Sequence, residues 1–290
     1  MSAQLMKGLA PARDLRARIA AQAREMQAAG ISPRLNVLLA GADQASLLYA
    51  SAKVRLGDGL GITVNVREVG EDNFEEALGL LRVWNEEAAV HGILVELPLP
   101  SGWDKSVLLA AIDPRKDVDG VHPLNRGYLL DGQEEKALLP ATPLACLALL
   151  DYYQISLQGK RITLVGRGDT VGRPLSGMLI KRDATLTVCH SKTRDLAWHC
   201  RQAEILVTAA GRPGLITPDM VRPGAVVLDA GVSPGKDENS IQGDVDPGVI
   251  KTAAFMSPTP GGVGTLTTTV IMANLLQAVK LQMPALGRWS

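Results

Sequence analysis

Apolar positions along the first hundred residues change period several times. Residues 12–29 space Leu15, Ile19 and Met26 at helical intervals among alanines and arginines, and Gly30 supplies a stop signal. Leu35 to Leu39 is a short apolar run of strand type, and a loop, GADQ, leads into a helix predicted from Ser46 to Asp58. After Gly61 the alternation in ITVNVREV predicts a strand. A helix is predicted from Asn73 to Ala89, and HGILVEL is a further strand that Pro98 and Pro100 end. This β-α-β-α-β order predicts a parallel sheet with helices on both faces.

The next stretch, DPRKDVDGVHPLNRG, is polar, rich in Gly and Pro and without clear period, so it reads as an ordered loop. A helix is predicted from Pro143 to Tyr153, entered at Thr142 with proline in its first turn. A second α/β unit then begins. RITLVG is a strand, a glycine-rich turn follows, and Pro174 to Lys181 begins a helix. TLTVCH, AEILVTAAG and AVVLDAG are further strands, and a last helix runs from Thr267 to Leu281. There is no internal repeat and no low-complexity tract. The fold class expected is α/β with two separate units.

A length of 290 residues accommodates two domains, and 46% apolar residues can build a large core. Aromatic residues are only 3%, so that core must be mainly Ala, Leu, Val and Ile. Thirty basic residues balance thirty acidic ones with no basic block, which argues against a nucleic-acid partner. The three cysteines, Cys146, Cys189 and Cys200, are odd in number, widely spaced and form no CxxC pair. Buried reduced thiols are expected, with neither disulfide nor metal site. Arginines at 13, 16, 18 and 24 interrupt any N-terminal apolar region, and no apolar run is long enough for a membrane span. A cytoplasmic protein without a membrane partner is the expectation.

Candidate chemistry changes this picture at several places. GRGDTVGRP, residues 166–174, lies between a predicted strand and a predicted helix, the context a phosphate-binding turn needs. Its Gly-x-Gly-x-x-x-Gly spacing is one residue longer than the usual fingerprint, so an ordinary tight turn also fits. The next strand ends at Ser191 and Lys192 rather than at Asp or Glu, with Arg167 in the preceding turn. A 2′-phosphate there meets cations and a hydroxyl, which favours NADP over NAD.

In the first half, Ser46, Tyr49 and Lys53 fall at spacings of three and four, which sets their Cβ atoms roughly 5–6 Å apart on one helix face. The stripe suits a catalytic site or a solvated face. Glu96 stands near the end of a predicted strand, where open parallel sheets bind ligands. Buried there it needs a partner, for which Lys53 is a candidate; at a sheet edge it reaches water. Asp117 and Asp119 lie in KDVDG, a turn-like piece, and His122 before Pro123 reads as structural. PTPGGVGTLT, residues 258–267, is a fixed, close-approach loop before the last helix, a signal that is not specific to one ligand.

Together SLLYASAK, GILVELPLP, DPRKDVDGVHPLNRG, PATP, GRGDTVGRPL, CHSKT, GDVD and PTPGGVGTLT, in this order over almost the whole chain, resemble the bifunctional methylenetetrahydrofolate dehydrogenase/methenyltetrahydrofolate cyclohydrolase family. The resemblance implies a catalytic domain at 1–140, completed by the C-terminal helix 266–290. It implies a Rossmann-type NADP-binding domain at 141–265, with a cleft between the two. It implies NADP-dependent oxidation of 5,10-methylenetetrahydrofolate, hydrolysis to 10-formyltetrahydrofolate, and a homodimer. Lys53 then matches the catalytic lysine, with Tyr49, Glu96 and Asp119 beside it. Ser46, Tyr49, Leu97, Asp119 and the segment Pro260, Gly261, Gly262 and Val263 fall in the folate site. Gly166, Arg167, Gly168, Thr170, Val171, Gly172, Ser191 and Lys192 fall in the NADP site.

The chain departs from the family pattern at Glu96, where the family carries glutamine. It also departs at Ala141 and Ala145 in PATPLA, at Gly168 in GRG, and in SPTPGGVGTLT. A carboxylate there is compatible with a developing methenyl cation, but it favours the ammonium form of a neighbouring lysine. The hydrolysis step is then either weakened or run with Glu96 as its base. Other expectations that remain open are a binding protein without turnover and an oxidoreductase acting on another reduced pterin.

Overall fold

The computed structural model describes residues 2–41, 44–235 and 240–283. Residues 42 and 43 of the predicted GADQ loop, and 284–290 of the expected 266–290 helix, lie outside the described residues.

In chain order the elements begin with β1 (Gln4–Leu5), α1 (Leu9–Ala28), β2 (Arg34–Ala40), α2 (Gln44–Leu60), β3 (Thr63–Val69), α3 (Phe74–Glu86) and β4 (Gly92–Val95). They continue with α4 (Lys105–Ala110), α5 (Pro123–Leu130), α6 (Ala141–Tyr152), β5 (Arg161–Val165), α7 (Gly172–Lys181), β6 (Thr185–Cys189), α8 (Leu196–Gln202) and β7 (Ile205–Thr208). The last are β8 (Val226–Asp229), β9 (Ser233–Pro234), β10 (Ile241–Gln242), β11 (Phe255–Met256) and α9 (Val263–Gln282).

The chain divides into two compact units, one of residues 14–141 and 268–290, the other of residues 1–13 and 142–267. The first holds a three-stranded sheet in the order β3-β2-β4, parallel throughout. Its central strand β2 is buried from Leu35 to Ala40, as a strand covered on both faces requires. Leu38, Ala77, Leu81, Trp84, Ile93 and Leu108 share one core cluster. Gly92 opens β4 because nothing larger fits: a Cβ there would lie 2.5 Å from Val118 and 2.6 Å from Leu275.

The second unit holds a six-stranded parallel sheet, ordered β1-β11-β8-β7-β5-β6, and a short antiparallel pair, β9 with β10. The chain leaves β5 for β6 on one side, then returns to β7 on the other. This makes the C-terminal end of β5 a topological switch point, where such sheets bind ligands.

Several elements differ from the sequence reading. DPRKDVDGVHPLNRG is not all loop: Pro123 opens α5, with His122 as its N-cap accepting from Leu124 N at 3.0 Å. His122 is therefore structural, as its position before proline suggested. The helices α4 and α8 were not anticipated. The last helix starts at Val263, several residues earlier than expected. In the structure β1 pairs with β11, and residues 1–13 group with the nucleotide-type unit. All three cysteines are free and buried.

Candidate active site

In the first unit, the helical stripe on α2 is not a solvated face. Lys53 is 5% exposed, and its Nζ donates to both carboxylate oxygens of Glu96, at 2.8 and 3.0 Å. Glu96 follows β4 directly and is held by its own backbone N–H, which donates to Leu38 O at 2.9 Å. The strand thus delivers a carboxylate to its carboxyl end, and the helix delivers the ammonium that a covered carboxylate needs. Tyr49, one turn earlier, is half exposed, with the Lys53 ammonium 5.9 Å from its ring centroid. Ser46 is partly covered on the same helix, and Leu97 is partly covered just after Glu96.

The two aspartates of KDVDG part company here. Asp117 is fully buried, and its carboxylate accepts from Val121 N at 3.1 Å, His122 N at 2.8 Å and Asn125 Nδ2 at 2.9 Å. It organises the turn into α5. Asp119 is partly covered, and no hydrogen-bond donor among the described residues reaches its carboxylate. Loss of hydration, with the negative charges of Asp117 and Glu96, pushes its carboxyl up to about 7, against the opposing pull of Lys53 and Lys105. Lys53, Glu96 and Asp119 thus form one electrostatic cluster. Lys105 was not singled out in the sequence. The available signal was Asp104, whose carboxylate caps α4 by accepting from Ser106 N at 2.9 Å and Val107 N at 3.1 Å.

In the second unit, Gly166 follows β5 at the switch point, with a φ of 123°. A Cβ on it would lie 2.2 Å from Ala209 O, and a Cβ on Gly172 would lie 2.3 Å from Gly166 O. Both glycines are therefore required by close backbone approach. The N-terminus of α7 carries no side-chain cap at Val171; Arg173 N donates to Gly168 O and Leu175 N to Val171 O, both at 2.9 Å, so the turn is braced by backbone and presents the positive end of the helix dipole. Arg167 and Gly168 are exposed beside it, and Thr170 and Val171 are partly covered. Beyond β6, Ser191 and Lys192 are exposed, and no carboxylate stands at that strand's tip. These residues fit a dinucleotide with a phosphorylated ribose.

Two buried carboxylates, noted in the sequence only as part of GDVD or not at all, shape the loops beyond the strand ends of this unit. Asp229 accepts from Gly231 N, Asp244 N and Val245 N and from Thr208 Oγ1. Asp244 accepts from Ala210 N and Arg212 N, both at 2.6 Å. The Pro260–Val263 segment lies in the same unit. Gly8 N donates to Gly261 O at 2.8 Å, and Gly262 and Val263 are buried.

A parallel sheet whose switch point carries a glycine-lined, uncapped helix N-terminus defines an NAD(P)-binding α/β protein, here joined to a second α/β unit with a buried Lys–Glu pair. Residues 6–119 match the model of the tetrahydrofolate dehydrogenase/cyclohydrolase catalytic domain, and residues 140–283 match that family's NAD(P)-binding domain. The chain belongs to the tetrahydrofolate dehydrogenase/cyclohydrolase family. It is 49% identical over 284 residues to a bifunctional protein FolD of Heliobacterium modesticaldum, covering 97% of this chain and 98% of the relative. The crystal structure of the bifunctional enzyme FolD from Campylobacter jejuni superposes with a TM-score of 0.92 at 37% identity, covering 97% of this chain and all of that one. The Trypanosoma brucei methylenetetrahydrofolate dehydrogenase-cyclohydrolase, complexed with NADP cofactor and inhibitor, gives a TM-score of 0.91 at 32% identity, with 98% and 100% covered.

Proposed function

We propose that this chain catalyses NADP-dependent oxidation of 5,10-methylenetetrahydrofolate to the 5,10-methenyl cation, followed by hydrolysis to 10-formyltetrahydrofolate. The observation that carries this reading is the largely covered Lys53–Glu96 pair, electrostatically coupled to an Asp119 carboxyl that no donor among the described residues reaches. A carboxyl left without a partner is completed by a ligand that brings its own donor, as a pterin ring does. The half-exposed ring of Tyr49 offers a flat surface for an aromatic substrate, and in this reading Ser46 and Leu97, both partly covered, contribute to the same site.

Bound NADP supplies the hydride acceptor. Gly166, Arg167, Gly168, Thr170, Val171 and Gly172 bind its pyrophosphate side, and Ser191 and Lys192, with Arg167, take the 2′-phosphate. As the methylene C–H bond breaks, positive charge grows on the substrate. Ionised Asp119 gives the cluster of two carboxylates and one ammonium a net negative charge suited to that growth. The active form is a homodimer in the reducing cytoplasm, consistent with free, buried thiols. Light scattering tests the assembly.

Purified protein mixed with 5,10-methylenetetrahydrofolate and NADP, with NAD in parallel, tests the reaction. NADPH forming without lasting methenyl absorbance supports both steps. Methenyl accumulating in step with NADPH removes the hydrolysis, and no NADPH from folded protein overturns the assignment.

A further inference from the structure

Beyond the carboxyl ends of β7 and β8 the chain turns into loops that no strand pairs, and their covered backbone N–H groups need acceptors. Two buried carboxylates supply them. Asp244, wholly covered, accepts from Ala210 N and Arg212 N, both at 2.6 Å, and so holds the loop after β7. Asp229, at the end of β8, accepts from Gly231 N at 2.9 Å, Asp244 N at 3.2 Å, Val245 N at 3.1 Å and Thr208 Oγ1 at 2.9 Å. Backbone bonds from Gly214 N to Gly243 O at 3.3 Å and from Ile216 N to Asp244 O at 3.0 Å close the same seam. The fit has no slack, because a Cβ on Gly231 would run into the Asp244 carboxylate.

The seam reaches the nucleotide turn. Ala209, the neighbour of the Ala210 that Asp244 holds, sets its carbonyl oxygen where a Cβ on Gly166 would meet it. A dinucleotide bound at a switch point lays one half on each side of it. Ser191 and Lys192, beyond β6, take the half with the phosphorylated ribose in the reading above. The β7–β8 side, with the loops that begin at Ala209 and Ala230, is left for the nicotinamide half.

We propose that Asp244 is a positioning residue for the nicotinamide half of NADP: its buried carboxylate fixes the loop after β7 against the Gly166 turn and against Gly231, and so sets the floor on which the hydride acceptor lies. This rests on the cofactor reading above. Being wholly covered, Asp244 acts through Ala210 and Arg212 and not by touching the cofactor. Displacing a reacting ring by about 1 Å costs on the order of 10²-fold in rate, while the other half of the cofactor keeps its contacts.

The test compares the two halves of the cofactor in Asp244→Ala. Titration calorimetry with 2′,5′-ADP reads the phosphorylated-ribose half, NADPH emission reads the nicotinamide ring, and amide exchange in cofactor-free protein reads the loop. Asp244→Ala is expected to bind 2′,5′-ADP as the intact protein does and to lose the emission change of bound NADPH. Hydride transfer at saturating NADP should fall about 10²-fold. The Ala210 and Arg212 amides should lose protection. Gly231→Ala, which drives a methyl into the same carboxylate, should reproduce this pattern. The double variant should be no worse than Asp244→Ala, because the clash is then gone. If Asp244→Ala does not fold, Asp244→Asn, which fills the same volume and keeps one acceptor, should show a smaller loss in the same direction. If 2′,5′-ADP binding falls in parallel with hydride transfer, Asp244 is a general brace of the unit and the proposal fails. Unchanged emission and hydride transfer in Asp244→Ala, or additive losses in the double variant, also overturn it. An intact protein that binds NADPH with an emission change but oxidises no 5,10-methylenetetrahydrofolate sinks the folate reading alone, and emission, exchange and 2′,5′-ADP binding still decide the role of Asp244. An intact protein that binds neither NADPH nor 2′,5′-ADP overturns the cofactor reading and the proposal together.

Discussion

Asp117 and Asp119 are separated by one residue, yet their environments assign them opposite work. Three donors satisfy Asp117, and none of the described residues serves Asp119. The folded-state titration of Asp119, about 7, lies above its ordinary 3.8. Its contribution to stability is therefore fully present below 3.8 and is lost as pH rises through 7, because the unfolded chain ionises more readily. Asp119→Asn, which cannot ionise, is expected to melt higher than the parent at pH 8, with the advantage vanishing toward pH 4. Equal melting differences at both pH values contradict this. Such a gain, paired with loss of folate chemistry, is the signature of a group strained for function. Removing donors' acceptors at Asp117 has the other sign: Asp117→Ala costs about 1–3 kcal/mol in urea unfolding at any pH where the turn forms.

The pairing of Lys53 with Glu96 was one of two readings the sequence left open, because a carboxylate inside an apolar strand needs a cation if buried but reaches water at a sheet edge. The division of labour between the two aspartates was not legible. Both fit the same turn, and only the fold shows which one the backbone N–H groups reach.

At the level of elements, the longer strands β2 to β8 and the glycine turn were readable because apolar strand-type runs and a strand–turn–helix context repeat local rules, whereas the two-residue strands β1, β9, β10 and β11 were not. The missed helices α4, α5 and α8 are 6, 8 and 7 residues long, too short for a period to stand out. In α5 the start signals, a cap and Pro123, were present but were read as loop composition. Tertiary capping leaves no local trace at all. Lys116 is buried, and its Nζ donates to Trp84 O, Asn85 O and Glu87 O at 2.9, 2.8 and 2.9 Å, closing the C-terminus of α3. That cation sits at the negative end of the helix and adds a donor to carbonyls of its last turn, Glu87 O also accepting from Val90 N at 3.0 Å. Lys116→Met keeps the apolar stem and removes all three donors. The expected loss is about 1–3 kcal/mol, read from the urea midpoint at unchanged slope. A change under about 0.5 kcal/mol would mean that water replaces the lysine without penalty.

At the level of the molecule, each unit is assembled from two stretches of chain that are far apart in sequence. The pairing of the first residues left no trace in the sequence, since β1 is only two residues long and its role is visible only in pairing with β11. The dependence of the first unit on α9 is physical. Asn274 donates to Val118 O and Leu139 O, both at 2.8 Å, and Leu275 fills the space beside Gly92. Val270, Ile271, Met272, Leu275, Leu276 and Val279 are all buried. At roughly 1.5–3 kcal/mol for each large apolar side chain, their removal takes away on the order of 10 kcal/mol, comparable to the whole stability of a domain, about 5–15 kcal/mol. A chain ended at residue 262 should therefore lose the first unit selectively. Amide hydrogen exchange is expected to show β2, β3 and β4 unprotected while β5, β7 and β8 stay slow, because their ladder uses no residue beyond 262. The truncated protein should still bind NADP and have no folate chemistry. Protection retained in both sheets would mean that residues 14–141 close their own core, and that α9 adds to a unit already able to stand without it.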